Sequence, residues 1–240
     1  MSKILLLAAA LGLGALALAC TTNENVEVQP PSQMQGISVS GTGEAFGAPD
    51  LALLDLGVSA EGKTVKEARD TAAAAMNSVL GALKDDGVAE EDVQTRQFRI
   101  EPEYEYPDGE QVLIGFRVTN IVEAKVRDLD RLGEVVDDVA QAGGDVVQVQ
   151  GLSFTIEEPD ELRSQAREEA VADARARAED LAELAGVKLG KPMSISESTA
   201  VPPSPFFGGA VMEREAQAAT PIEPGELEIS VTVDVVFAIE

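Results

Sequence analysis

Histidine and tryptophan are absent from this 240-residue chain, and cysteine occurs once. Without His there is no His-based metal site and no Ser-His-Asp or Cys-His dyad. One Cys excludes an intrachain disulfide, a Cys-cluster zinc site and an iron–sulfur cage. Basic residues are scarce: 18 Lys plus Arg face 43 Asp plus Glu, a formal net charge of −25. Nucleic acid is an unsuitable partner, because phosphate binding needs clustered Lys and Arg. No G-x-S-x-G, S-x-x-K or D-x-D-x-D-G pattern occurs, so serine acyl transfer and EF-hand calcium binding have no signature. The length suits one or two small domains with a real core.

What is present begins with Lys3 and an unbroken apolar run from Ile4 to Ala19, followed by Cys20. Residues 1–19 have the form of a bacterial secretory signal peptide. As a helix the run is roughly 24 Å long, short of a bilayer core of about 30 Å. Two cleavage readings stand. Ala17-Leu18-Ala19 fits an A-x-A site that releases a soluble protein. Leu16-Ala17-Leu18-Ala19-Cys20 resembles a lipobox, in which Cys20 becomes lipidated and anchors the chain to a membrane. The sole Cys standing at this junction favours the lipobox. Residues 21–35 are polar, contain proline and have no period, so 20–35 reads as the lipidated Cys and a disordered tether.

The rest alternates between two periods. Strands are expected at 36–46, with Gly41 and Gly43 leaving one face bare for a bulge or a close backbone neighbour, and through Ala52, Leu54, Leu56, Val58 and Ala60. Thr64-x-x-Glu67 is a capping box for a helix through Ala68, Ala72, Met76, Val79 and Leu83, closed by Gly87. A third strand carries Phe98, Ile100, Tyr104 and Tyr106, and Pro107-Asp108-Gly109 turns it into a long fourth. Asn120 is the one polar entry on the apolar side of that strand. Asp128 is expected to cap a second helix that ends at Gly143-Gly144. In the fifth strand the apolar phase flips near Gly151, which predicts a bulge. A third helix over 160–185 has the stripe Leu162, Ala166, Ala170, Ala174, Ala178, Leu181, Ala185, with Asp173 and Arg177 on a solvated face. A sixth strand follows at about 191–198.

Residues 199–225 are a Pro-rich loop containing Phe206 and Phe207, candidate interaction residues. The last strand places Leu227, Ile229, Val231, Val233, Val235, Phe237 and Ile239 on one face. It and the fourth strand are longer than usual, so each must bend or reach past the protomer. The order β-β-α-β-β-α-β-α-β-β is an α+β fold, largely antiparallel sheet with helices packed on one face. Glu157-Glu158 and Asp137-Asp138 are carboxylate pairs, read as solvation and helix-end charge rather than as acid–base machinery.

Several segments together resemble the SIMPL-domain family of bacterial periplasmic immunogenic and oxidative-stress-defence proteins. They are Ile37-Ser-Val-Ser-Gly41-Thr-Gly43 with Pro49-Asp50-x-Ala52, Pro102-x-Tyr104-x-Tyr106, Phe116-x-Val118-x-Asn120, Val126-Arg127-Asp128-Leu129-Asp130 and Ala142-Gly143-Gly144. The helix around Ala166-Arg167 and Ala185-Gly186-x-x-Leu189-Gly190 complete the likeness, which spans 36–240. It implies an exported α+β protein of two small subdomains, with homo-oligomers and oxidative-stress resistance among its members, and no agreed catalytic residues. The expectation is a noncatalytic envelope lipoprotein, outside the cytosol, that self-assembles and needs no cofactor or metal. The alternative is a monomeric binding module that docks a partner or small ligand through the Phe206-Phe207 loop.

Overall fold

The computed structural model describes residues 36–199, 203–206 and 220–240. The signal peptide, the tether, Cys20 and Phe207 lie outside them. Among the described residues the chain runs β1 (Ile37–Gly47), β2 (Leu51–Gly62), α1 (Val65–Asp85), β3 (Val93–Glu105), β4 (Val112–Val126), α2 (Leu132–Gly143), β5 (Val147–Thr155), α3 (Asp160–Ala185), β6 (Leu189–Thr199), β7 (Ser204–Phe206) and β8 (Glu226–Ile239). This is the α+β order expected, with one addition. The short β7 breaks the Pro-rich loop and pairs with Glu226–Glu228.

All pairing is antiparallel, in two sheets. One has the order β1-β8-β6, with β7 also on β8; the other has the order β3-β4-β2-β5. Each has helices on one face and its own core. α1 and α2 bury Met76, Val79, Leu83, Val135 and Val139 against Leu54, Leu56, Val58, Val118 and Val122. α3 covers Val39, Val231, Val233, Val235 and Phe237. The β2–β5 half is continuous in sequence and inserted between β1 and α3, which belong to the other half.

The glycine face of β1 and the alanine stripe of α3 are two sides of one contact. Gly41 and Gly43 are buried, and a Cβ on either would fall well inside contact distance of the backbone at Ala170, Ala174 and Ala166. The buried stripe is Ala166, Ala170, Ala174, Ala178 and Ala182. It keeps strictly to the i+4 ridge of the helix, so Leu181 and Ala185, expected in it, are exposed. Asp173 and Arg177 are not simply solvated. Asp173 accepts from the Thr42 N–H at 3.0 Å, and Arg177 Nη1 donates to the Ser40 carbonyl at 3.0 Å. Both groups belong to the side of β1 turned away from β8, so α3 seals that edge against strand addition.

Other local expectations have clear outcomes. Thr64 accepts from the Glu67 N–H, and Glu67 reaches back to the Lys63 N–H, one residue before the cap, a shifted form of the expected capping box. Gly87 takes φ +87°, and the Val88 N–H closes onto the Leu83 carbonyl, a Schellman ending. The β2–β5 register slips between Asp55 and Leu56, leaving Gln150 unpaired as the bulge beside Gly151. Asp128 does not cap α2: a single 3-10 turn over Leu129–Arg131 intervenes, and Asp128 makes no side-chain cap bond.

The chain passes between the sheets at 48–50 and again at 156–159, and Asp50 joins the two passages. Its N–H donates to the Thr155 carbonyl and its carboxylate accepts from the Glu157 N–H at 2.8 Å. Arg127 adds a second tie, donating to Glu157 through Nε and Nη2 at 2.8 and 2.6 Å and to Asp92 through Nη1 at 2.6 Å. The guanidinium holds both carboxyls below the usual carboxylate range. Groups with depressed pKa values add stability that is present above about pH 4 and is lost as pH falls through their folded values. The melting temperature of Arg127→Met is therefore expected below the parent's at pH 7, with the gap closing below about pH 4. A gap that stays constant down to pH 2 in scanning calorimetry would show that the pair contributes nothing.

Candidate functional site

The loop residues singled out in the sequence are only partly placed. The Phe206 backbone pairs with Glu226 in β7; its side chain, like Phe207 and Cys20, lies outside what the structure describes. The loop's return is anchored: Thr220 donates to Asp137 through its N–H at 3.2 Å and its hydroxyl at 2.7 Å. Asp137 and Glu157, one from each carboxylate pair, thus hold backbone or an arginine. Among the described residues no group of three or more His, Cys, Asp or Glu is placed to hold a metal ion. Nor is any helix there long and apolar enough to cross a membrane.

The surface that stands out is the β3–β4 hairpin. β3 is an edge strand, and no residue of it is buried. α1 and α2 lie over β2, β4 and β5, and α1 reaches only the inner end of β3 at Val93 and Thr95. Phe98, placed in the third strand as expected, is 56% exposed, and Ile100 in the same strand is exposed too.

Further out the hairpin loses its other neighbour. β2 ends at Gly62, opposite Phe116, where Gly115 packs close to the Gly62 carbonyl. From there to the turn, β3 and β4 run as a two-stranded arm, Glu103 opposite Gly115 and Tyr104 opposite Leu113, with Ile114 bulged out. The turn uses Asp108 and Gly109 at φ 53° and 87°. Along the arm Tyr104, Val112, Leu113 and Ile114 are exposed, and Tyr106 at its tip is 65% exposed. The long fourth strand therefore reaches past the body of the protomer. β8 does not: β1 flanks it on one side and β6 with β7 on the other.

A two-stranded ribbon is marginal by itself in water, and contiguous exposed apolar side chains mark a surface that is covered by something. The sequence signal was the length of the fourth strand. What it lacked was where β2 stops, which depends on tertiary pairing.

The same segments carry the relationship to known proteins. A family model described as SIMPL, a protein of unknown function (DUF541), matches residues 37–237. The chain belongs to the SIMPL family. It is 35% identical over 237 residues to the 26 kDa periplasmic immunogenic protein of Brucella melitensis, covering 95% of this chain and 93% of that protein. It is 28% identical over 242 residues to the uncharacterized protein YggE of Escherichia coli K12, covering 99% and 94%. A YggE of Edwardsiella ictaluri is similar at 27% identity over 239 residues. None of these names states an enzymatic activity. Within the SIMPL domain the motif residues have structural tasks: Gly41 and Gly43 admit α3, Asp50 joins the two sheet crossings, Arg127 ties the second crossing to Asp92, and Tyr104 stands on the arm.

Proposed function

We propose that this SIMPL protein is a noncatalytic, exported envelope lipoprotein. It assembles with copies of itself through the β3–β4 arm and contributes to envelope integrity or oxidative-stress tolerance. The observation that carries the reading is the arm: an uncovered edge strand continued by a two-stranded ribbon with exposed apolar side chains. Edge strands offer unpaired backbone to other strands; side chains of α3 occupy that of β1, whereas the free edge of β3 is interrupted only within the strand, by Pro102 and by the bulge at Arg96, and stays open toward the arm. A second copy brings the same apolar arm, which makes it a self-complementary partner. Export is supported by the signal-like residues 1–19 and by the word periplasmic in the name of the Brucella relative. Anchoring is supported by the position of Cys20. The high negative charge suits a soluble body held off anionic headgroups by its tether.

One experiment with two arms tests this. Light scattering of the detergent-solubilised full chain should give several times the mass of one copy. Tyr104→Lys with Leu113→Glu, which keeps a favourable cross-strand pair while removing the apolar surface, should reduce it to one. A parent that is monomeric with its arm intact overturns assembly and favours docking through the Phe206-Phe207 loop instead. In the second arm, Cys20→Ser should move the chain from the membrane fraction to the soluble fraction; unchanged partitioning overturns the lipid anchor.

A further inference from the structure

Between α1 and the inner ends of β3 and β4 lies a cavity of about 570 Å³. It exists because one flank of α1 carries small side chains. Ala73, Asn77 and Gly81 are four residues apart, on one side of the buried Met76 and Leu83. A Cβ at Gly81 would meet nothing within 4 Å. Across the gap stand Val93, Thr95 and Val122, with Val88 closing one end. Sites of this volume, mostly apolar with a few polar groups, are the usual size for a small-molecule ligand.

One polar atom in the wall has no partner. Asn120 Oδ1 is buried and accepts no hydrogen bond. A buried acceptor in that state is costly, and its presence in a wall of mainly apolar side chains, with Asn77 and Thr95 as the other neutral polar ones, needs a reason. Asn120 is part of the cavity lining, and its terminal torsion is a broad one that lets the amide turn. The charges at the mouth are already matched: Lys84 Nζ meets Glu90 Oε1 at 2.8 Å. No unpaired cation is left to attract an anion, and the charge of −25 repels one.

We propose that this cavity binds one uncharged, mainly apolar small molecule carrying a hydrogen-bond donor, with the donor on Asn120 and the apolar body along Ala73, Asn77 and Gly81. The site is separate from the arm, and its test leaves the arm untouched.

The probe is N-phenyl-1-naphthylamine, which has one N–H, two apolar ring systems and emission that rises out of water. Titrated into the full chain, it should bind saturably, one per chain. Gly81→Leu fills the cavity from a helical position where leucine is the better helix former. It should weaken binding at least tenfold while the circular dichroism spectrum is retained. Asn120→Val should weaken it by about three- to tenfold, the loss of one hydrogen bond. The apolar residues 4–19 are the same in every variant, so the differences belong to the cavity. If Gly81→Leu does not fold, Ala73→Leu at the other end of the same flank gives the reading. No saturable binding, or equal binding by the parent and the filled variant, overturns the site. Equal binding by Asn120→Val overturns the role of the donor.

Discussion

Gly41→Ala is expected to lower the melting temperature by roughly 4–10 °C, a large effect for a single methyl group. Two terms oppose each other. Replacing glycine in a strand stabilises by about 0.5–1 kcal/mol, because the unfolded chain has less freedom to lose. Against this, the new Cβ would overlap the Ala170 carbonyl and the Ala174 N–H, both part of the α3 backbone. Backbone cannot swing aside as a flexible side chain does, so the helix must lift from the sheet. Overpacking of this kind costs about 3 kcal/mol or more, and in a domain of this size about 1 kcal/mol moves the transition by roughly 2–4 °C. Sterics therefore win. Gly81→Ala is the matched control. It makes the same chemical change on an exposed turn of α1 with open space around the new atom, and should raise stability by about 1 kcal/mol. Opposite signs in calorimetry are the expected result. A Gly41→Ala protein that melts with its parent would mean that α3 does not press on β1.

Leu56→Ala should have a comparable effect in the other sheet, and the effect should not stay there. Leu56 is fully buried in the β2–β5 core, and losing such a side chain costs about 2–5 kcal/mol. The coupling comes from chain order. β1 and α3 belong to one half but are separated by the whole of the other. When β2–β5 is folded, Leu51 pairs with Thr155, so the two ends of the insertion stand side by side. When it is unfolded, β1 and α3 must be brought together across roughly 100 residues instead of a handful. This adds about 2–3 kcal/mol of loop-closure entropy. The Asp50 bonds that join the two passages, and the Arg127 tie from the second passage to Asp92, are lost in the same event. One transition at a lower temperature is expected by circular dichroism, and amide exchange in β8 should accelerate together with that in β2. Two resolved transitions, or β8 protection equal to the parent's, would sink the coupling.

Most of the elements were legible because each is written in local chemistry. The capping box at Thr64 and Glu67, the glycine ending at Gly87 and the phase flip that marks the Gln150 bulge all involve residues close in sequence. The match of glycine face to alanine stripe was legible as two halves, since each predicts a close neighbour without naming it. What could not be read is pairing between distant strands. Nothing in Ile37–Gly47 and Leu51–Gly62 says that these consecutive strands belong to different sheets. Phe98 and Ile100 alternate as core residues do, yet stand uncovered, because coverage depends on how far α1 and α2 reach. Asp128 looked like a cap because its type and place were right, but the first turn after it is 3-10. The cavity was hidden for a different reason. Its flank is defined by what Ala73, Asn77 and Gly81 lack, and Asn120, legible only as the one polar entry on its side of β4, did not mark it.

The strand at the middle of the first sheet is β8, and its neighbours are β1 and β6. A ribosome delivers β1 early and β8 some 200 residues later. Until then β1 and β6 have no strand between them to bond, and α3 has only β1 to lie on. Half of the molecule therefore stays pliable for nearly the whole of synthesis. For the exported protein proposed above, this arrangement defers closure of the sheet until the last strand has been delivered.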